Sequence, residues 1–76
     1  MTFIPMSIQL SQAINSENAT KVEELILTSD SKNKLILEYV SQNGEDNLKE
    51  LLPQFKSKGL VITIKNLLFT IYTLLF

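Results

Sequence analysis

An apolar segment that runs from Leu60 to Phe76, LVITIKNLLFTIYTLLF, constrains the fold more than any other part of this sequence. Lys65, Asn66 and three threonines are its main polar residues. Exposed to water, a segment of this composition is an aggregation hazard, so it has to be covered. Its β-branched first half suits a buried strand, its second half suits a strand or a helix, and periodicity does not decide between them.

Three interpretations of this segment remain open: a membrane anchor, a buried core element or oligomer interface, and the end of a truncated remnant of a longer protein. As a helix, Leu60 to Phe76 would span about 25 Å, slightly less than the roughly 30 Å hydrocarbon core of a bilayer. Lys65 would add about 3 kcal/mol at the bilayer centre. Lys56 and Lys58 suit the cytoplasmic flank of an anchor. The residues expected at a membrane or a protein interface are Lys56, Lys58, Leu67, Phe69, Ile71, Tyr72 and Phe76.

Residues 1–59 show apolar side chains at helical spacing in four short stretches. Gly44 predicts the end of the third helix, Pro53 predicts that the fourth ends or kinks at Leu52, and Gly59 closes this region. We therefore predict a mostly α fold, with two short helical hairpins in series followed by the apolar segment 60–76.

Two helix starts are predicted from residue pairs that have the form of a capping box. Thr20 with Glu23 predicts the start of the second helix, and Asn47 with Glu50 predicts the start of the fourth. In the second helix, Glu23 is expected to point away from the apolar face, into solvent.

The two predicted hairpins resemble each other, as degenerate repeats at 8–29 and 35–57. LSQAINSENATKVEELI is similar to the opening, capping unit of an ankyrin array, and LEYVSQNGEDNLKELL has a glycine where ankyrin repeats place one between their two helices. The resemblance covers about half the chain, and the Thr-Pro-Leu-His tetrapeptide of ankyrin repeats is absent. It implies a protein-binding function without catalysis, carried by a broad surface.

The composition argues against most catalytic chemistry. With no cysteine and no histidine, the chain lacks thiol nucleophiles, imidazole bases and the usual zinc ligands. The adjacent acids Glu23 and Glu24 diverge on a helix, and Glu45 and Asp46 suit a helix amino end. We therefore expect a protein that is not an enzyme and has no metal or other cofactor.

Charge is distributed unevenly along the chain. The first 50 residues hold all eight acidic residues and four lysines, a net charge of −4, whereas residues 51–76 hold three lysines and no acid. All seven basic residues are lysines, so the bidentate fork of arginine is missing and nucleic acid is not an expected partner. We expect another protein or a second copy as partner. The expected location is the cytoplasm, or alternatively a membrane, reached through residues 60–76, with the amino terminus in the cytoplasm.

Overall fold

The computed structural model describes residues 4–75, without the side chains of residues 72, 74 and 75. These residues form no strand, and their five α-helices are α1 (Met6–Asn15), α2 (Ala19–Thr28), α3 (Lys32–Asn43), α4 (Asp46–Leu51) and α5 (Lys58–Leu75). The predicted mostly α fold is therefore confirmed. Most of the apolar segment, which its sequence left undecided between strand and helix, belongs to α5.

Both helix starts predicted from capping boxes are wrong. α2 begins one residue before Thr20, and its amino end is capped by Asn18, whose side-chain oxygen accepts a hydrogen bond from the backbone N–H of Lys21 at 3.2 Å. α4 begins at Asp46, and Asn47 lies inside it. An Asn immediately before a helix is as good an N-cap as a threonine, and it competes with any Thr one or two residues later.

The helix ends predicted from Gly44 and Pro53 are confirmed. Gly44 follows α3 with a φ of 81°, a left-handed conformation that favours glycine. α4 ends at Leu51, and Pro53 lies in a single turn of 3₁₀ helix, Leu52–Gln54. Gly59, by contrast, lies in the first turn of α5 and does not end the helical region.

One apolar core joins all five helices. α1 packs against α2, α3 and α4, while α3 also packs against α2 and α5. Each helix contributes buried side chains to a single cluster, which includes Leu10, Ile14, Val22, Ile26, Ile36, Tyr39, Leu48, Leu51, Leu60 and Ile64. Burying one aliphatic side chain of this size contributes about 1.5–3 kcal/mol, so the shared cluster is the main source of stability.

The buried stripe of α5 consists of residues that recur every four positions. Leu60, Ile64 and Leu68 are buried in the core, and Val61, Leu67 and Ile71 are partly buried beside them. Because residues four apart lie on one side of a helix, the stripe holds α5 to the other helices along that side. Among the described side chains of α5, Ile62 and Phe69 face outward.

Candidate interaction surface

The outward face of α5 combines threonines with two large apolar side chains. The hydroxyls of Thr63, Thr70 and Thr73 each donate a hydrogen bond to the carbonyl oxygen four residues earlier, at 2.9–3.0 Å. Such bonds satisfy the hydroxyl groups within the helix itself. Phe69 is 74% exposed and Ile62 is 59% exposed, more than any other large apolar side chain described. Among the described side chains of α5, these two are therefore the large apolar ones that the fold leaves most exposed.

A groove of about 670 Å³ lies between α5 and the region of α4 and the 3₁₀ turn. We call it the α4–α5 groove, and its lining residues are Glu45, Lys49, Leu52, Pro53, Val61, Lys65, Leu68 and Phe69. Its lining is mainly apolar, and its volume falls within the range of sites that bind small molecules or the side chains of a partner. Exposed Phe69 belongs to the groove, whereas Ile62 does not line it.

The charged side chains of the groove are two lysines and one carboxylate. Lys49 of α4 lies 3.6 Å from Glu45, measured from Nζ to Oε1, and remains about half exposed. Lys65 of α5 is exposed. Lys58, Val61, Lys65 and Leu68 follow one another at spacings of three and four, so Lys58 shares the groove side of α5. Lysines therefore flank the apolar floor from both of its walls.

The structure separates the residues that the sequence proposed as an interface. Phe69 lines the α4–α5 groove, while Leu67 and Ile71 are partly buried against the core. Lys56 is exposed in the loop before α5, and Lys58 is exposed in the first turn of that helix. The side chain of Tyr72 and the whole of Phe76 lie outside the described part of the chain.

Sequence reasoning did not select most of the groove residues. Leu52, Pro53 and Leu68 could not be assigned to a surface without knowing how α4 and α5 pack. Lys49 and Lys65 were visible as charges, and the seven-residue spacing of Lys58 and Lys65 was the one available signal that two lysines share a side of a helix.

Glu23 is buried, contrary to the expectation that it points into solvent. Its exposed fraction is 9%, and its Oε1 accepts a hydrogen bond from the backbone N–H of Ser57 at 3.2 Å. The Ser57 hydroxyl oxygen in turn accepts from the backbone N–H of Leu60 at 3.3 Å. A carboxylate on α2 thus satisfies the backbone immediately before α5, and it fixes where this wall of the groove begins.

The other acidic side chains form no cluster suited to metal binding. In residues 4–75 no group of three acids could hold a metal ion. Asp46 lies in the first turn of α4, where a negative charge is favoured, and exposed Glu24 pairs with Lys21 at 3.8 Å. Within the same range, no helix combines the length and the apolar character that crossing a membrane requires.

Tyr39 is a buried polar residue of the core and does not line the groove. It is 1% exposed, and burial raises the pKa of its hydroxyl, while a side-chain hydrogen bond from Asn47 acts in the opposite direction on that pKa. Asn43 also donates to the Tyr39 carbonyl oxygen at 3.1 Å, near the end of α3. The contact between Tyr39 and Asn47 connects α3 with α4, whereas the bond from Asn43 lies within α3.

Comparison with known proteins gives no further description of this surface. The chain matches no protein-family model, and it has no significant match among curated proteins or solved structures.

Proposed function

We propose that this chain is a non-catalytic protein-interaction module that binds its partner through the α4–α5 groove and the adjoining face of α5. The observation that carries the proposal is the exposure of Phe69, which is 74% exposed at the edge of a mainly apolar groove. Aromatic side chains of this kind dominate the energetics of protein interfaces, because burying them removes a large apolar area from water.

The chemistry of the groove favours binding over catalysis. Its ionisable side chains are Glu45, Lys49 and Lys65, and the chain has no histidine or cysteine to serve as a base or a nucleophile. Lysine and carboxylate groups placed around an apolar floor are typical of the polar rim and apolar centre of an interface.

The resemblance to ankyrin repeats supports the same class of function. Helices α1 and α2 fall largely within the first predicted repeat, 8–29, and α3 and α4 largely within the second, 35–57. We extend the proposal to an ankyrin-like module, in which helical hairpins are stacked to form a binding surface. The absence of cysteine is compatible with a reducing compartment, and the proposal places the module in the cytoplasm.

Photocrosslinking from position 69 tests the proposal. Phe69 is replaced by benzoylphenylalanine, a photoreactive analogue that keeps the aromatic ring, and the full chain is irradiated in the cells that produce it. The matched control carries the same analogue at Thr20, an exposed position of α2 away from the groove. Far-UV circular dichroism of both purified variants checks that they remain helical.

We expect an adduct with another protein from position 69 and none from position 20. If position 69 gives no adduct while the variant is folded, or if both positions give the same adducts, the proposed function is wrong. An adduct with lipid would favour the membrane interpretation, and an adduct with the chain itself would favour a second copy.

A further inference from the structure

We infer that the α4–α5 groove binds an amphipathic helix of another protein, and that this helix carries acidic side chains beside its apolar stripe. This inference rests on the proposed function and specifies the partner. Three features of the groove point to such a ligand: its apolar floor, its length along α5, and the sign of the charges on its walls.

The length of the groove matches the spacing of anchor residues on a short helix. Its α5 wall runs from Val61 to Phe69, and the helical rise between these two residues is about 12 Å. A helix that binds in a groove inserts apolar side chains at positions i, i+3 or i+4, and i+7, which span about 10 Å. Three such side chains would cover the apolar floor formed by Leu52, Val61 and Leu68.

The positive charges on the walls of the groove favour a ligand that carries negative charge. Lys49 stands on the α4 side and Lys65 on the α5 side, and Lys58 lies on the same side of α5 about one helical turn before Val61. Glu45 neutralises part of this charge through its pair with Lys49 at 3.6 Å, whereas the ion pairs of the described residues include neither Lys58 nor Lys65. Carboxylates on either side of a partner's apolar stripe would therefore meet lysines.

The same charges disfavour a second copy of this chain that docks through α5. Such an arrangement would place the lysines of one α5 against Lys49 and Lys65 of the other copy, and juxtaposed like charges oppose association. The acidic residues of the chain lie in its first 50 residues, either in the turns between helices or on helices whose apolar faces are largely used in the core. A helix from a different protein fits the groove better on both counts.

Two synthetic peptides distinguish the charge of the preferred ligand. Both are helix-forming, about three turns long, with leucine at i, i+3 and i+7. One has glutamates on both sides of the leucine stripe, and the control has lysines at the same positions. Each is titrated into the isotopically labelled full chain, and backbone amide shifts locate the site while fluorescence anisotropy gives the affinity.

We expect the acidic peptide to shift the amide resonances of Val61, Lys65 and Leu68. It should bind on the order of 10-fold more tightly than the lysine peptide. Its affinity should fall as salt is added, because salt screens exposed charges. The variant Lys65→Glu should lower the affinity for the acidic peptide several-fold, because one exposed ion pair is lost and a repulsion replaces it. The same variant should raise the affinity for the lysine peptide. The variant Lys21→Glu, which changes an exposed lysine of α2 outside the groove, should leave both affinities unchanged.

The inference is overturned if neither peptide shifts the groove amides, if both bind equally, or if the shifts lie elsewhere. Protein adducts from position 69 alongside any of these results would leave the proposed function standing and reject only the acidic helix. Binding to vesicles of anionic lipid without binding to the acidic peptide would assign the lysines to a membrane surface. A dimer in analytical ultracentrifugation that Phe69→Ser abolishes would assign the groove to a second copy.

Discussion

Replacing Ile64 by alanine tests whether α5 is a fixed wall of the groove. Ile64 is 0% exposed in the centre of the buried stripe, and the change removes three carbon atoms from a closed environment. At about 0.8 kcal/mol for each buried carbon, the transfer contribution alone is about 2.4 kcal/mol. The cavity left behind raises the loss, and measured changes of this type cost about 2–5 kcal/mol.

The matched control is Ile62→Ala, the same substitution two residues earlier on the same helix. Ile62 is 59% exposed, so its truncation removes little buried area. Alanine also has a higher helix propensity than isoleucine by up to about 0.5 kcal/mol, and this gain applies at both positions. We therefore expect a change in the free energy of unfolding of about 2–4 kcal/mol for Ile64→Ala and of less than about 0.5 kcal/mol for Ile62→Ala.

Urea denaturation followed by far-UV circular dichroism measures both changes. A domain of this length is expected to have a total stability of roughly 4–11 kcal/mol, so the loss at Ile64 would remove a large share of it. If the two variants unfolded at the same urea concentration, α5 would not be packed on the core. The groove would then lack its second wall and could not hold a partner as proposed.

Substitutions at Glu23, at the two glycines and at Tyr39 test features that the sequence did not reveal or only partly revealed. Glu23→Ala removes the acceptor of the Ser57 amide and should lower the free energy of unfolding, measured by urea denaturation, by about 1–2 kcal/mol. Glu23→Gln keeps an oxygen acceptor and should lower it less. Equal losses in the two variants would refute the role of this hydrogen bond. Gly44→Ala should destabilise the fold by about 1 kcal/mol, because Gly44 has a φ of 81°. Gly59→Ala should stabilise it by about 0.5–1 kcal/mol, because Gly59 lies in a helix with open space around the added carbon. A higher thermal midpoint for Gly44→Ala than for Gly59→Ala would contradict this. Burial raises the pKa of Tyr39 above its unfolded value of about 10. The contribution of the neutral hydroxyl to the free energy of unfolding should therefore be fully present below that pH, and it should be lost as the pH rises through the folded pKa. Urea midpoints of Tyr39→Phe should show a weaker alkaline loss than those of the unchanged chain, and parallel losses would exclude this titration.

The sequence predicted those parts of the fold that depend on local backbone chemistry. Gly44 ends α3 because a left-handed conformation is needed there, and Pro53 ends α4 because proline lacks the N–H that the helix requires. The start of α2 was misplaced because Asn18 and Thr20 are both competent caps, and the local sequence does not rank them. The conformation of the apolar segment was undecided because β-branched residues prefer strands, but packing against α3 favours a helix.

The candidate site was less predictable, because it depends on contacts between distant parts of the chain. Phe69 was selected from its apolar character, but nothing local showed that it is exposed while Leu68 beside it is buried. The sequence predicted that Glu23 points into solvent because it lies off the apolar face formed by Val22 and Ile26, and its partner is a backbone amide that no side-chain pattern reveals. The position of α4 opposite α5 across the groove likewise depends on the tertiary structure and not on local sequence.

The hydrogen bond between Glu23 and Ser57 joins residues that are 34 positions apart, and this separation bears on the order of folding. Closing a loop of that length costs about 3 kcal/mol of chain entropy, whereas α1 and α2 are joined by residues 16–18 alone. We therefore expect helices α1 to α3 to pair early and α5 to dock last. On the ribosome, which makes α5 after the other helices, the apolar face that Ile64 will fill stays open in the meantime. We therefore expect the nascent chain to be most prone to aggregate just before the α4–α5 groove exists.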